Sequence, residues 1–209
     1  MTTFEHAMLG LNGTLAAGLQ RKYGWQIAAL AAAAAVVPDW DGLTLLCGAG
    51  WFARAHRAWG HNVFLAASLG AALAAADYRF DLLTRVQIAA AGRWPRLLPP
   101  AGSIRRRTQR SLGGYATWTL VGMLGSLSHL AADLVFSGGR TLADWQLQLL
   151  WPCSSRGFVY PLVPWGDAGV TLVFVAGMFA LWRWPSRVEL VARMTLAAAV
   201  AFIACRGLL

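Results

Sequence analysis

The sequence predicts an all-α membrane protein: a polytopic helical bundle of about six helices, of which four to six cross the bilayer. Three observations carry this. Only 13% of the 209 residues are charged and 57% are hydrophobic, whereas a soluble domain carries about 25% charged residues. Mean hydropathy is +0.50. The apolar residues are also gathered into long blocks, the mark of multiple membrane spans. This composition excludes a disordered chain and argues against a soluble enzyme.

The blocks are Ala7–Leu19, Trp25–Val37, His61–Ala76, Gly114–Phe136, Ala168–Trp184 and Leu190–Cys205. Gly114–Phe136 is the clearest span. Several others fall short of the ~20 residues that cross a bilayer comfortably. The first two read as tilted, partial or membrane-edge helices. Pro38 and Gly42 mark a turn after the second block. Leu43–Ala55 is weakly apolar and reads as a short helix on the membrane surface. Tyr78–Leu112 holds Pro95, Pro99, Pro100 and the run Arg105–Arg107, and reads as a basic cytoplasmic loop touching anionic headgroups. There is no internal repeat, so residues 1–209 read as one membrane-embedded domain. Glu5 and His6 precede the first block without a basic leader, so the N-terminus is expected to be retained. Cys47, Cys153 and Cys205 have neither metal-type spacing nor an even framework.

Charge sets an orientation. Net charge is +9, from 17 Arg and the single Lys22 against nine acidic residues. Nucleic-acid binding shares that charge, but cytoplasmic loops explain it more simply. With Arg21, Lys22, the 78–112 segment and the 183–193 turn on one side, that side holds 13 basic residues and the other holds 5. The positive-inside rule then puts the 13 in the cytoplasm and, if all six blocks cross, both termini outside.

The candidate chemistry lies beside the apolar blocks. An ionisable group at mid-membrane costs about 2.5–3.5 kcal/mol on insertion scales and defaults to a functional reading. His129 and Asp133 are four apart and share a helix face, where they can bind one metal or pair with each other. In Pro38-Asp39-Trp40-Asp41-Gly42, two carboxylates sit on a turn, as metal ligands or caps. His56 and His61 are five apart, about 140° on a continuous helix. Gly60 can break that helix, leaving His56 on a loop and His61 at the mouth of the next helix, and Arg57 between them suits a phosphate. His6 precedes the first block. In the orientation above, His6, Asp39, Asp41, His56, His61, His129 and Asp133 all fall at the non-cytoplasmic ends of their segments. That coincidence points to a shared site for one or two divalent metal ions. Zinc is the first expectation, with manganese or iron open because no thiolate joins the set.

These residues, in this order, resemble the YdjM-like family of LexA-regulated, inner-membrane-associated metal-dependent hydrolases. The matching features are His6, Pro38-Asp39-Trp40-Asp41, His56-Arg57 with His61, His129 to Asp133, and Leu149-Leu150-Trp151-Pro152. The set spans residues 6 to about 167. Its His, Asp, His and His-x-x-x-Asp order is similar to zinc-dependent phospholipase C and the fungal single-strand nucleases, helical enzymes that cut phosphate esters. Ala58, Gly60 and Asn62 replace the family's frequent Gly, Thr and Ser, and Gly42 stands where a His is common. The secreted enzymes' later His ligands are missing, and Asp167 is the residue that can replace one or else cap the next helix.

The resemblance implies a membrane-bound hydrolase acting on a phosphate ester, such as a phospholipid, at the outer face of a bacterial inner membrane. In it, Asp39 or Asp41 would take a proton and Arg57 would stabilise phosphate charge. Trp40, Trp151 and Trp165 would sit at headgroup level. The alternative is a non-enzymatic metal-binding membrane protein, a transporter or scaffold. A zinc protease would need His-Glu-x-x-His, and a serine hydrolase of the elbow type Gly-x-Ser-x-Gly; both are missing.

Overall fold

In a computed structural model of the chain, residues 1–93, 110–137 and 146–208 are described. They form nine α-helices and no named strand, so the chain is all-α.

Helix α1 (Thr3–Ala16) opens on a capping box. Thr2 Oγ1 accepts from the Glu5 N–H, and the Glu5 carboxylate accepts from the Thr2 N–H at 2.7 Å. Gly18 then takes the left-handed region at φ +71, which a residue with a Cβ resists. The short helix α2 (Leu19–Tyr23) follows, so the expected block Ala7–Leu19 is split at this bend.

Helix α3 (Trp25–Val36) does not end in a turn at Pro38. It runs on in tighter 3-10 turns from Val37 to Cys47. This corrects the reading of Pro38–Gly42 as a break. Proline at the first turn of a helical segment forfeits a donor that has no partner there, so it need not end the rod. The result is a 23-residue apolar stretch, Trp25–Cys47. Helix α4 (Ala49–Ala55) follows, so the expected surface helix Leu43–Ala55 is part 3-10 and part α.

Helix α5 (Val63–Phe80) starts at the Asn62 cap, whose Oδ1 accepts from the Leu65 N–H at 2.8 Å. It ends at Asp81, and α6 (Leu82–Arg93) begins at once. The expected basic loop at 78–112 is therefore helical over its first part. Leu82–Arg93 holds no proline. Asp77 also steadies the junction: its Oδ1 accepts from the Leu83 N–H and its Oδ2 from the Trp118 indole, each at 2.8 Å. Pro95, Pro99, Pro100, Arg105–Arg107 and Arg140 lie outside the described residues. Helices α7 (Leu112–Val135), α8 (Ala168–Arg183) and α9 (Val188–Gly207) complete the set.

Helix α3 packs between α1 and α7, α5 lies along α7, and α9 packs on α1 and α8. Small residues permit the close approaches. A Cβ on Gly10 would overlap the Ala31 carbonyl, and one on Gly70 or Gly122 would overlap the other's carbonyl. Such backbone contact is the usual basis of helix association in lipid, where apolar side chains gain nothing by hiding from lipid tails. The outer surface stays apolar, with Leu172, Phe179, Trp182, Met194 and Val200 exposed. Among the described residues, four stretches are long and apolar enough to cross a membrane: Trp25–Cys47, Val63–Phe80, Leu112–Val135 and Pro185–Gly207; α8 is a shorter apolar helix. Four is the lower bound of the expectation. The alternating path brings the start of α1, the 3-10 segment after α3, the approach to α5 and the last turns of α7 to one end.

Candidate metal centre

Pro38 helps to aim the central histidine. It has no N–H to return to the last turn of α3, and α7 donates there instead. Ser126 Oγ donates to the Ala34 carbonyl at 2.8 Å, and His129 Nδ1–H donates to the Ala35 carbonyl at 2.7 Å. A carbonyl only accepts, so Nδ1 carries a proton and Nε2 is the ring nitrogen turned to the cluster.

His61 is aimed in the same way by Asp41. Its Nδ1–H donates to Asp41 Oδ2 at 2.9 Å. The same carboxylate accepts from the Gly60 N–H at 2.9 Å and, through Oδ1, from His56 Nδ1 at 2.8 Å. Gly60 is needed for this approach, because a Cβ there would run into the Pro38 carbonyl. His56 caps α4 in extended backbone, and its ring stacks on Phe52 at 4.5 Å. Gly60 thus brings together two histidines that a continuous helix would separate.

Four donor atoms then converge. His61 Nε2 lies 3.1 Å from His129 Nε2, 3.6 Å from Asp39 Oδ1 and 3.5 Å from Asp133 Oδ2. His129 Nε2 lies 3.4 Å from that Asp39 oxygen and 3.6 Å from that Asp133 oxygen. Ligands about 2.0–2.1 Å from a tetrahedral ion stand roughly 3.3 Å from one another. These five separations bracket that edge. The donor set, two imidazoles and two carboxylates, also suits zinc, manganese or iron. The residues therefore fit a divalent metal.

His6 adds a second corner. Its ring stacks on His129 at 3.6 Å, and its Nε2 is 3.1 Å from Asp133 Oδ1. The ring is fully buried, yet neither nitrogen has a partner in hydrogen-bond geometry. A buried polar group without a partner is costly, and coordination would satisfy it. Among the described residues, three overlapping groups are close enough to hold an ion: His6–His129–Asp133, Asp39–His61–His129 and Asp41–His56–His61. All seven expected ligand residues thus fall in one cluster.

Charge follows burial and neighbours. Burial lowers the His6 pKa to about 4, against the pull of Asp133, so His6 is neutral at ordinary pH. Burial also opposes charge on His61, but hydrogen bonds to Asp133, Asp39 and Asp41 outweigh it and raise its pKa to about 10. With no ion bound, His61 would therefore carry both ring protons, its Nε2 lying 3.1 Å from His129 Nε2. Arg57 is buried at φ +68. Desolvation draws its guanidinium below the ordinary value, while Asp133, Asp39 and Asp41 resist. Its Nη1 donates to Ser137 Oγ at 2.9 Å, and its Nη2 is 3.6 Å from Asp133 Oδ2. Beside it lies a polar cavity of about 270 Å³ lined by Arg54, His56, Arg57, Gln146, Gln148 and Ser155.

Asp167 stands apart from the cluster. It caps α8 through the Gly169 N–H and accepts from Arg206 Nη2, each at 2.8 Å. Glu5 is engaged in the α1 cap and with Thr171. Sequence reasoning missed the supporting shell: the Ala35 carbonyl, the Gly60 N–H, the Met1 amino group 2.6 Å from Asp133 Oδ1, and Ser137. Only Ser137 leaves a signal, by lying one helical turn past Asp133.

The fold and cluster define a polytopic α-helical membrane protein with a buried His/Asp centre at one end of its bundle. The chain belongs to the YdjM inner membrane protein family, whose model matches residues 1–208. It is therefore an integral inner-membrane protein. Neither curated proteins nor solved structures provide a match.

Proposed function

We propose that the protein is a metal-dependent hydrolase that cleaves a phosphate ester, with a phospholipid as the leading substrate, at the non-cytoplasmic face of the membrane. The observation that carries this is the approach of the His61 and His129 Nε2 atoms to each other and to one oxygen each of Asp39 and Asp133, five separations of 3.1 to 3.6 Å. His61 and His129 would hold the ion through Nε2, and Asp39 and Asp133 through one oxygen each. Zinc is the first choice, with manganese or iron as alternatives. His6 and the second Asp133 oxygen would take another ion only by displacing the Met1 amino group, which lies 2.6 Å from that oxygen. A divalent ion there would polarise a phosphoryl oxygen and acidify a water.

The chain's own residues supply the rest. Asp41 orients His61 and His56 rather than binding first, because both its oxygens are already taken. Asp39 keeps 31% of its side chain exposed, whereas Asp133 keeps 5% and both central imidazoles none. The approach to the centre is therefore at Asp39, which would accept the proton of an attacking water. Arg57, fixed by Ser137, faces the polar cavity where an anionic group would dock. The order of site residues, similar to zinc-dependent phospholipase C and the single-strand nucleases, supports phosphate-ester chemistry. The 13-to-5 split of basic residues supports the outward orientation. Trp40 and Trp165, both partly exposed, would sit at headgroup level.

The full burial of both central imidazoles also favours a second reading, a purely structural ion in a scaffold. The test is turnover. Metal-loaded protein in detergent would be offered phospholipid micelles and bis(p-nitrophenyl) phosphate, with and without chelator. Hydrolysis that stops with chelator and is lost in Asp39→Asn is the expected result. A metal-loaded protein with no turnover of either substrate would leave the scaffold reading.

A further inference from the structure

At the end of the bundle opposite the His/Asp cluster, a basic cavity and an apolar groove meet. The cavity, of about 480 Å³, lies between α2 and the start of α9 and is lined by Arg21, Arg187 and Arg193 among others. Glu189 is the acid within it, and Arg21 pairs with it, Nη2 to Oε2 at 2.7 Å. The start of α9 lines the same cavity, and no side chain caps that helix. Uncapped N–H groups and the positive end of the helix dipole attract anions.

The groove, of about 550 Å³, runs between α8 and α9 along residues such as Val173, Ala176, Ala180 and Met194. Its lining is almost wholly apolar. Arg187 and Leu190 line both spaces, so the two adjoin at these residues. Trp25 and Trp184, both half-exposed, flank the junction, as aromatic side chains do at the membrane interface. A basic pocket leading into an apolar channel between membrane helices matches one ligand chemistry: a phosphate on an acyl chain.

We propose that this composite site binds one anionic phospholipid, its phosphate at Arg187 and Arg193 and an acyl chain in the α8–α9 groove. Three arginines against one glutamate leave the headgroup space net positive. The site would therefore prefer phosphatidylglycerol or a diphosphate lipid over a zwitterionic one. It lies away from the proposed hydrolytic centre and stands whether or not that centre is catalytic. Its lipid would hold α9 to α2.

Native mass spectrometry of the full chain in mild detergent tests this, with phosphatidylglycerol and phosphatidylcholine titrated in competition. The wild type should retain phosphatidylglycerol preferentially. Each arginine near a membrane surface contributes about 1 kcal/mol toward anionic lipid, so Arg187→Gln with Arg193→Gln should cut that preference roughly 30-fold. Ala180→Trp, which fills the groove, should reduce retention of both lipids. Arg85→Gln, exposed on α6 and lining neither space, should change neither. If the double variant fails to fold, Arg187→Gln alone, at roughly fivefold, gives the same answer. Equal retention of the two lipids by the wild type, or an unchanged preference in the arginine variants, would overturn the proposal.

Discussion

Asp41→Asn separates holding a metal from aiming its ligands. The Asp41 carboxylate accepts three hydrogen bonds, from His56 Nδ1, His61 Nδ1 and the Gly60 N–H, at 2.8, 2.9 and 2.9 Å. Asparagine keeps the shape but has one acceptor oxygen, and its NH2 group must face one of these donors. If the amide oxygen stays with His61, His56 loses its partner. If it turns to His56, His61 loses its orientation and the anion that favours Nδ1 protonation. Either way the donors His61 Nε2, His129 Nε2, Asp39 and Asp133 remain present but less well held. Losing such a supporting contact weakens metal binding by about 10- to 100-fold, or roughly 1.4–2.7 kcal/mol. Removing a ligand outright, in Asp39→Asn, should abolish stoichiometric binding. The measurement is a chelator competition titration on both purified variants, with helicity checked by circular dichroism. If Asp41→Asn binds as tightly as the wild type, or loses metal as completely as Asp39→Asn, the positioning role is refuted.

Other outcomes follow from the same geometry. His61 stands near pKa 10 in the metal-free fold, against about 6.5 unfolded. Its stabilisation is therefore full below about pH 6.5 and is lost as pH rises through 10. Metal must displace the Nε2 proton, so calorimetry in two buffers at pH 7 should show about one proton released per ion at this centre and tighter uptake at higher pH; no proton release would contradict the assignment. Gly60→Ala places a Cβ against the Pro38 carbonyl and 3.0 Å from Asp41 Oδ2. It should destabilise by about 1–3 kcal/mol and loosen metal, seen as a lower Tm and faster loss to chelator. Cys153 is exposed in the segment at the cluster end of the bundle. In spheroplasts of a variant lacking the other two cysteines, an impermeant maleimide should label it from outside; labelling only after lysis would invert the orientation.

The convergence of the His and Asp residues was legible because topology alternates. Helical blocks of similar length put His6, Asp39, His61 and His129 at one level before any contact is known. The division of labour among them was not legible. Asp39 and Asp41 are two residues apart with identical chemistry, and only the tertiary approach of Gly60 to Pro38 gives both Asp41 oxygens to histidines. The Ala35 carbonyl that aims His129 carries no sequence signal. Pro38 misled because its cost depends on whether the helix continues in α or 3-10 form. The helix Leu82–Arg93 was hidden by the prolines after it and by the capping role of Asp77, set by an indole 41 residues away.

Elemental analysis of the detergent-purified protein tests the central claim most directly, with His61→Ala and His129→Ala beside the wild type. The account predicts one or two equivalents of zinc, manganese or iron in the wild type, and loss of at least one equivalent in each folded variant. A wild type that holds no metal after reconstitution, or variants that keep their full complement, would reduce the cluster to structural hydrogen-bonded pairs.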